Sequence, residues 1–420
     1  MDINSLVKAL PIDLVFIVTN YDPGVLFRVL GESELVKFDW FKLIRMNFSM
    51  IYGRDSCTNE EMMGVYLDNC DNARGKIACG AFITFVMLRD CLLGCGKVHC
   101  ERKATTLEKV VYGEIKKKKL IGGIKWGRGH AIYRLMDGTL MGGGDNGFGQ
   151  LGLGDDKPKK LLHKIGGIGK NIADVACGYN YTIVRLTDGT LMGCGLNTSG
   201  ELGLGDQRNR YFFDKIQGIG DVEEVVCGAY HTIIRLRNGT IMGCGRNGCG
   251  QLGTGDYFLR KSFVEIGKDI AEVKCGRGHT VIRLTDGTLM GCGENLSGQL
   301  GFGDYKDRNV FEVIRGIPKN IAEITCVMVQ TIIRLTDGTL MATGSNGSGQ
   351  LGLGDDRDRN MFEEIKGIPK NIAKVISGFT HTIIQTTNGT LMSCGSNEYG
   401  QLGLGDYRDR NVFEKIIRTS

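Results

Sequence analysis

The stretch HTIIRLRNGTIMGCGRNGCGQLGTGD, residues 231–256, decides the fold of this chain, because six variants of it follow one another at nearly constant spacing. The central turn of each copy, an Asp or Asn followed by Gly-Thr, begins at Asp137, Asp188, Asn238, Asp286, Asp337 and Asn388. The steps between these turns are 51, 50, 48, 51 and 51 residues. A sequence period of about 50 residues is typical of propellers and repeat arrays. One repeated unit therefore builds most of the chain.

The last repeat, residues 371–416, predicts four short strands. Its runs TIIQTT and TLMSC flank Asn388-Gly389. An Asn-Gly pair between two β-rich runs is a strong hairpin signal, because both turn residues can adopt positive φ. The runs IAKVI, from Ile372, and VFEKI, from Val412, supply an outer pair of strands. One repeat is therefore expected to form one four-stranded blade.

A seventh, eroded copy precedes the six. Residues 77–80 (IACG) match the start of a repeat, residues 92–96 (LLGCG) match its hairpin, and residues 112–115 (YGEI) match its last strand. The GQLGLGD loop is missing from this copy. We therefore predict an all-β fold, a seven-bladed β-propeller over residues 72–420 with a degenerate first blade at residues 72–120. Propellers usually have about four to eight blades.

Composition and charge indicate a folded protein inside the cell. Gly accounts for 64 of the 420 residues and Pro for only 5, and the glycines recur at turn positions, where they permit positive φ. The 52 basic and 47 acidic residues are too balanced to indicate nucleic-acid binding, and the basic run Lys116–Lys119 is interpreted as a solvated loop. The start of the chain lacks a basic leader, and Leu14–Val18 is too short to cross a membrane. We expect an intracellular protein, cytoplasmic or nuclear, without membrane contact.

The 15 cysteines are interpreted as buried thiols. Two repeat positions hold most of them, the first in Cys79, Cys177, Cys227, Cys275 and Cys326, the second in Cys95, Cys194, Cys244, Cys292 and Cys394. Cysteines that recur at a fixed position of the repeat behave as small buried hydrophobic residues. Their odd total number argues against a disulfide framework. The set Cys91, Cys95, His99 and Cys100 fits no common zinc-finger spacing. Neither a metal nor a cofactor is expected.

The GQLGLGD loop is expected to hold blades together. Its leucines, Leu202 and Leu204 in one copy, have no local strand to pack in, so we predict that they wedge between neighbouring blades. Its final Asp is predicted to accept backbone hydrogen bonds from the following turn. That position holds Asp155, Asp206, Asp256, Asp304, Asp355 and Asp406. A carboxylate repeated six times is structural, and no catalytic residue is assigned.

Over residues 72–420 the chain resembles the regulator of chromosome condensation repeat family. These are seven-bladed propellers whose repeats read roughly CGxxHT followed by DGxLxxxGxNxxGQLGxGD. The uniform, Ile/Lys/Asn-rich repeats also resemble propellers encoded by large cytoplasmic DNA viruses, which would place the chain in an infected host cell. The resemblance implies a protein-binding propeller.

The resemblance also raises guanine-nucleotide exchange as an activity. The founding member of the family is an exchange factor for the small GTPase Ran, and it acts through a wedge hairpin inserted into one blade and reaches chromatin through a basic tail. Here no repeat step exceeds 51 residues and no basic N-terminal tail is present. We therefore favour a non-catalytic protein-interaction scaffold, with an exchange factor for a small GTPase as the alternative.

One repeat position suggests a cluster of histidines near the ring axis. It holds His130, Tyr181, His231, His279, Gln330 and His381, with Ile83 in the eroded copy. A set of metal ligands or acid/base groups cannot exchange members for Tyr and Gln, whereas a hydrogen-bonding position between blades can. In the exchange factor, histidines at this register lie on the partner-binding face. The resemblance therefore makes His231, His279 and His381 candidate partner contacts.

Charged loops after each GLGD are the second candidate surface. They combine Arg with Asp and would project from equivalent places on the ring. One interpretation is an Arg/Asp lattice that braces adjacent blades; the other is a partner site, since binding evolves on loops of rigid scaffolds. The candidate residues are Arg208, Arg210, Arg260, Arg308, Arg357, Arg359, Arg408 and Arg410.

Residues 1–71 carry no repeat and are predicted to be helical. Apolar residues follow helical spacing from Leu10 to Tyr21 and again from Val36 to Ile44. The start, LPIDL at residues 10–14, resembles an F-box, the module that binds a Skp-type adaptor of a ubiquitin ligase. In that interpretation the propeller is a substrate receptor. The alternative is a helical cap that covers the eroded blade.

Overall fold

The computed structural model describes residues 38–39, 76–81, 83–87, 92–97, 103–109, 121–135 and 137–416. Within these ranges the chain forms seven four-stranded antiparallel sheets, each made of four strands that are consecutive in sequence. The F-box-like start and the strand predicted at residues 112–115 lie outside the described residues, as do the predicted helices of residues 1–71 except at Phe38 and Asp39, which are not helical.

The strands of blades 1 to 4 are β1 (Lys76–Cys79), β2 (Ile83–Met87), β3 (Leu92–Lys97), β4 (Lys103–Lys109), β5 (Ile121–Trp126), β6 (His130–Leu135), β7 (Leu140–Gly144), β8 (Lys159–Lys164), β9 (Ile172–Cys177), β10 (Tyr181–Leu186), β11 (Leu191–Gly195), β12 (Arg210–Ile216), β13 (Val222–Cys227), β14 (His231–Leu236), β15 (Ile241–Gly245) and β16 (Arg260–Gly267). Those of blades 5 to 7 are β17 (Ile270–Cys275), β18 (His279–Leu284), β19 (Leu289–Gly293), β20 (Arg308–Val313), β21 (Ile321–Val327), β22 (Gln330–Leu335), β23 (Leu340–Gly344), β24 (Arg359–Glu364), β25 (Ile372–Ser377), β26 (His381–Thr386), β27 (Leu391–Gly395) and β28 (Arg410–Lys415).

The first strand of each blade lies at the centre of a closed ring. β1 contacts β5, and the contacts continue through β9, β13, β17, β21 and β25 back to β1. The fourth strand of each sheet is therefore the outer one. The predicted seven-bladed propeller is confirmed.

The predicted hairpin is present in each intact blade. In blade 4, β14 pairs with β15 from His231 opposite Gly245 to Arg235 opposite Ile241. The turn is closed by Asn238, whose side-chain oxygen accepts the N–H of Thr240 at 3.0 Å. The Asp/Asn-Gly-Thr sequence therefore sets the register of the two central strands.

The loop leucines join neighbouring blades, as predicted. Leu202 has no exposed surface and packs with Ile183 and Ile216 of its own blade and with Val222 and Ile234 of the next. Burying a leucine side chain stabilises a fold by about 1.5–3 kcal/mol relative to exposure. The six equivalent leucines, all at 0% exposure, are Leu151, Leu202, Leu252, Leu300, Leu351 and Leu402.

Blade 1 differs from the sequence prediction in its outer strand. We expected this strand at residues 112–115, but the outer strand of blade 1 is β4, Lys103–Lys109, which pairs with β3. Only five residues, 98–102, separate β3 from β4, whereas 14 residues separate the third and fourth strands in each other blade. Because the long loop is missing, the outer strand begins nine residues earlier than the repeat spacing suggests.

Candidate functional site

The histidine position joins adjacent blades. His231 Nε2 lies 3.1 Å from Thr280 Oγ1 of the next blade, and His279 Nε2 lies 3.1 Å from Thr331 Oγ1. The corresponding pairs of His130 with Thr182 and His381 with Thr84 are each 3.0 Å long. The predicted hydrogen-bonding position between blades is therefore confirmed.

These imidazoles are not available to a partner. His231, His279 and His381 are completely buried, and the prediction that they are partner contacts is wrong for that reason. Burial lowers the pKa of His231 and of His279 to about 3 and that of His381 to about 4. All three are therefore neutral structural groups near pH 7.

The Arg/Asp pairs of the charged loops form within one blade and do not connect adjacent blades. Asp206 Oδ1 accepts the N–H of Arg208 at 3.0 Å, as predicted, and Asp206 Oδ2 pairs with Arg210 Nη2 at 2.7 Å. The second pairing, between residues four apart, recurs in blades 4 to 7 and connects Asp256 with Arg260, Asp304 with Arg308, Asp355 with Arg359 and Asp406 with Arg410. The hydrogen bond from Arg260 lowers the pKa of Asp256 to about 2. The lattice between blades is therefore wrong for these five arginines, which pair inside their own loop.

Three of the candidate arginines remain exposed. The side chains of Arg208, Arg357 and Arg408 form no hydrogen bond or ion pair with another residue that the structure describes. Arg408 directly follows Tyr407, which is 53% exposed. These three stay candidates for partner contact at the rim of the propeller.

A second group of side chains, which the sequence analysis missed, surrounds the axis. The residue two positions after the Cys177 register, which is held by Trp126 in blade 2 and Ser377 in blade 7, lies near the centre of one face. These residues include Arg128, Tyr179, Ala229, Arg277, Met328 and Phe379. Main-chain hydrogen bonds connect neighbours: Arg128 N–H donates to the Tyr179 carbonyl at 3.0 Å, and Arg277 N–H to that of Met328 at 2.7 Å. The sequence contained a signal for this group. The residue type changes from repeat to repeat at this position, although the Gly before it and the histidine register after it are nearly constant.

Aromatic rings form the centre of this face. Tyr179 stacks on Phe379 with ring centroids 5.8 Å apart and contacts Tyr230 edge-on at 5.4 Å. Arg128 lies 5.8 Å from the Tyr179 ring and Arg246 lies 6.0 Å from the Tyr230 ring. Burial raises the pKa of Tyr179 to about 12, so its phenol stays protonated. We call Arg128, Tyr179, Tyr230, Arg246, Arg277 and Phe379 the axial cluster.

The axial cluster lines a cavity of about 1250 Å³ with a basic character. Arg277 is paired with the buried carboxylate of Glu294, Nη2 to Oε1, at 2.5 Å. Arg128 and Arg246 are exposed and form no ion pair with a described residue. Guanidinium groups held over aromatic rings bind carboxylates well, because they present a planar pair of donors at low entropic cost. The cavity therefore favours an anionic ligand.

The thiols of the inner strands lie below this cavity. Cys79, Cys177, Cys227, Cys275 and Cys326 line a narrow axial channel of about 170 Å³. Burial raises the pKa of Cys79, Cys227 and Cys326 to about 12, so these groups remain thiols.

In the part of the chain that the structure describes, no three His, Cys, Asp or Glu side chains are arranged to hold a metal ion. Of the earlier zinc candidates, Cys95 instead donates to the Gln401 carbonyl, and the other three lie outside the described residues. No described helix is long and apolar enough to cross a membrane.

Comparison with known families agrees with this architecture. A family model described as "Regulator of chromosome condensation (RCC1) repeat" matches residues 137–185 and 188–234. A second model with the same description matches residues 172–201, 222–251, 270–299 and 372–401.

Curated relatives share the repeats over part of their length. The chain is 31% identical over 300 residues to the ultraviolet-B receptor UVR8 of Arabidopsis thaliana, a match that covers 70% of this chain and 57% of the receptor. It is 30% identical over 284 residues to the probable E3 ubiquitin-protein ligase HERC4 of Homo sapiens, covering 64% of this chain and 22% of the ligase. The chain thus spans about half of the receptor and about a fifth of the ligase.

Solved structures share the fold. Prp20p of Saccharomyces cerevisiae superposes with a TM-score of 0.68 at 18% identity, covering 83% of this chain and 89% of Prp20p. Human WBSCR16 superposes with a TM-score of 0.64 at 21% identity, covering 76% and 85% of the two chains. The repeats and the curated relatives support a protein-interaction propeller. The chain is a seven-bladed β-propeller built from regulator of chromosome condensation (RCC1) repeats.

Proposed function

We propose that this chain is a non-catalytic protein-interaction scaffold whose axial cluster binds an acidic segment of a partner protein. The observation that carries the proposal is the pair of exposed guanidinium groups, Arg128 and Arg246, each held against a tyrosine ring at the mouth of the axial cavity. Arginine and tyrosine dominate the binding energy of many protein interfaces. Arg128 lies in the short turn between β5 and β6 and Arg246 directly after β15, so the backbone at both positions is anchored by strands and loses little entropy on binding.

The titratable groups that could suggest catalysis are used differently. The four histidines at the blade joints and the five axial thiols are held in their neutral forms by burial. A general base or a thiolate nucleophile needs a pKa near the working pH and access to substrate. Binding is therefore the better use of this face.

Affinity purification with matched variants tests the proposal. The double variant Arg128→Glu/Arg246→Glu reverses the charge at the axis, and Arg208→Glu/Arg357→Glu applies the same change at the rim. We expect partners of the wild-type chain to be lost from the axial variant and retained by the rim variant, as quantified by mass spectrometry. Equal recovery by the wild-type chain and the axial variant would overturn the axial site, and loss from the rim variant alone would assign binding to Arg208 and Arg357.

A finer proposal makes the scaffold a substrate receptor of a ubiquitin ligase. Two observations support it. The sequence from Leu10 resembles an F-box. The HERC4 relative, of which this chain covers 22%, is named a probable E3 ubiquitin-protein ligase. A Skp-type adaptor should then be recovered with the full chain and lost when residues 1–71 are deleted. Equal recovery of the adaptor from both forms would end this proposal.

Guanine-nucleotide exchange on a small GTPase is the alternative function. The similarity of fold to Prp20p, whose structure is described together with its binding to Gsp1p and histones, motivates it. In blades 2 to 7 all six loops between the third and fourth strands have the same length of 14 residues, so none of them carries a wedge. Release of a fluorescent nucleotide from a panel of small GTPases, with and without the chain, decides the question; acceleration of any member would favour exchange.

A further inference from the structure

The joint between blades 1 and 2 is built differently from the other six joints of the ring. At an ordinary joint, the Gln150 carbonyl of one blade accepts hydrogen bonds from Thr182 Oγ1 at 2.8 Å and Cys194 Sγ at 3.5 Å of the next. Gly154 N–H of the same loop donates to the carbonyl of Tyr211 in the next outer strand at 2.8 Å. The loop thus covers the following blade.

Blade 1 lacks this loop, and blade 2 is altered at the positions that the loop would touch. Ala131 stands where Thr182 stands in blade 3, Gly143 replaces the cysteine, and Leu162 replaces Phe213. A Thr or Cys kept there would be a buried donor without its acceptor, which destabilises the folded state. Both donors have been removed together with the acceptor. Blade 2 lacks the two donors and blade 1 lacks the loop that carries their acceptor, so the joint stays open without a buried unpaired donor at these positions.

The inner half of the joint is filled by aromatic residues. Phe85 and Tyr133 are both buried, and the Trp126 ring stacks on Phe85 at 5.3 Å and meets Tyr133 edge-on at 6.2 Å. The outer half forms an apolar groove, which we define by Trp126, Ala131, Gly143, Leu161 and Leu162.

The groove has an uncovered apolar wall and an unused donor. Leu161 is 55% exposed, and Trp126 Nε1 has no hydrogen-bond partner among the described residues. No hydrogen bond from a described residue reaches the Lys160 carbonyl, although its counterparts in the other outer strands each accept one. A segment that carries an apolar side chain for Leu161, an acceptor for Trp126 Nε1 and a donor for the Lys160 carbonyl would satisfy all three.

The edge of the groove is basic. β8 has the sequence KKLLHK and is the one outer strand of the seven described that contains no acidic residue. Lys160 is exposed at its start, next to Leu161. An acidic occupant is therefore favoured over a basic one.

We propose that residues 1–75 of this chain occupy the groove and cover blade 2 in place of the missing loop. This segment contains 7 Lys or Arg and 11 Asp or Glu, a formal charge of −4, and it carries apolar runs such as LPIDLVFIV at residues 10–18. Its sequence therefore offers both the apolar surface and the charge that the groove lacks. The groove is continuous with the axial cavity, because both are lined by residues of one cleft, but the proposal rests on the groove residues alone.

Residues 1–75 are covalently joined to the propeller, so they would occupy the groove to a greater extent than a free partner with the same intrinsic affinity. The segment joins the propeller at Lys76, the start of β1, while Ala81 just beyond the end of β1 lines the cavity. The distance from Lys76 on one face of the propeller to the cavity on the other face is about 20 Å, and fewer than about ten extended residues can span it. A linked segment is present at an effective concentration of roughly millimolar, so even a weak contact is populated.

Photo-crosslinking in the full chain tests the proposal. p-Benzoylphenylalanine in place of Leu161 reports what covers the groove, and the same probe in place of Phe212 is the matched control, because Phe212 is the equivalent residue of blade 3 and lies against Gly154. We expect monomeric crosslinks from position 161 to map within residues 1–75 and those from position 212 to map to the loop 145–158. Crosslinks from position 161 that lead only to a second copy or to the propeller itself, or none at all beside a working control, would overturn the proposal.

Fluorescence provides a second, independent readout. The chain has two tryptophans, so Trp40→Phe leaves Trp126 as the only one. In that background Lys160→Glu should increase acrylamide quenching of Trp126 by about 2-fold, because charge repulsion displaces the acidic segment. Lys261→Glu changes the equivalent exposed lysine of blade 4 and should leave quenching unchanged. If both variants quench like their parent, residues 1–75 do not lie in the groove.

Discussion

His381 and Thr84, 297 residues apart in the sequence, join the last blade to the first through a hydrogen bond of 3.0 Å between Nε2 and Oγ1. Thr84 Oγ1 also donates to the carbonyl oxygen of Gln401 at 2.8 Å. Because the hydroxyl proton is used in that bond, Nε2 of His381 must carry a proton and donate to Thr84. The seam of the ring therefore has the same His–Thr hydrogen bond as the internal joints at His130, His231 and His279.

Replacing this threonine should destabilise the ring. Thr84→Val leaves the His381 N–H unpaired in a buried site and leaves the Gln401 carbonyl with only the weak Cys95 S–H donor, so we expect the free energy of unfolding to fall by about 1–3 kcal/mol. Urea denaturation followed by circular dichroism measures the change. Thr331→Val, at the joint between blades 5 and 6, should cost a similar amount. Thr84→Ser, which keeps the hydroxyl, should retain most of the stability; a valine variant as stable as the wild type would contradict the assignment.

The buried histidines should make the propeller sensitive to mild acid. In the unfolded chain histidine has a pKa of about 6.5, whereas the pKa is lowered to about 3 for His231 and His279 when folded. Between these values the unfolded state binds more protons, so stability is complete above about pH 6.5 and falls as the pH decreases, by up to about 1.4 kcal/mol per pH unit for each histidine. The free energy of unfolding, measured from pH 7.5 to 5, should therefore decrease.

A single substitution isolates the contribution of one histidine. His381→Gln places in blade 7 the residue that Gln330 provides at the same register in blade 6. Its pH dependence between 7.5 and 5 should be shallower than that of the wild type, because one fewer group takes up a proton on unfolding. Identical slopes would show that His381 does not titrate as its burial implies.

A glycine in the joining loop should tolerate no side chain. Gly152 has φ of +64°, and a Cβ there would lie 2.4 Å from the ring of Phe213 in the next blade. Gly152→Ala should lower the free energy of unfolding by about 2–4 kcal/mol, through strain and overpacking. Gly147→Ala, in the same loop with nothing near its Cβ position, is the control and should be close to neutral. Thermal melting compares the two, and equal melting temperatures would contradict the close packing.

The two classes of loop arginine should behave differently. Arg210 is paired with Asp206 and Asp214 and is mostly covered, whereas Arg208 is exposed. Arg210→Gln should reduce stability slightly, by less than about 1 kcal/mol as is usual for surface pairs, and Arg208→Gln should have no effect on the urea midpoint. A larger loss in the Arg208 variant would mean that its side chain has a structural partner.

Much of the propeller is predictable from sequence because repetition multiplies the signal. The turn at Asn238 and the wedge of Leu202 occur six times, so each local rule is tested six times within one chain. The histidine register was also predictable as a joint between blades, since Tyr181 and Gln330 occupy it. Direct partner contact through His231, taken from the family resemblance, failed because exposure depends on packing between blades.

Other features could not be found from the repeats. The axial cluster contains residues such as Arg128 and Phe379 that share no residue type, and their proximity follows only from closing the ring. The outer strand of blade 1 was misplaced because the repeat template assumes a loop of 14 residues, whereas β3 and β4 are separated by five. Spacing rules fail where a repeat has lost a part.

The hydrogen bonds around the axis, such as that from Arg128 N–H to the Tyr179 carbonyl, are made by peptide groups. Side chains at these positions can therefore be exchanged without breaking this ring of peptide hydrogen bonds, whereas the threonines one step outward bond through their side chains. Selection for new partners can act on the axial face without passing through unstable intermediates. The fold keeps an evolvable surface at the centre of its most constrained ring.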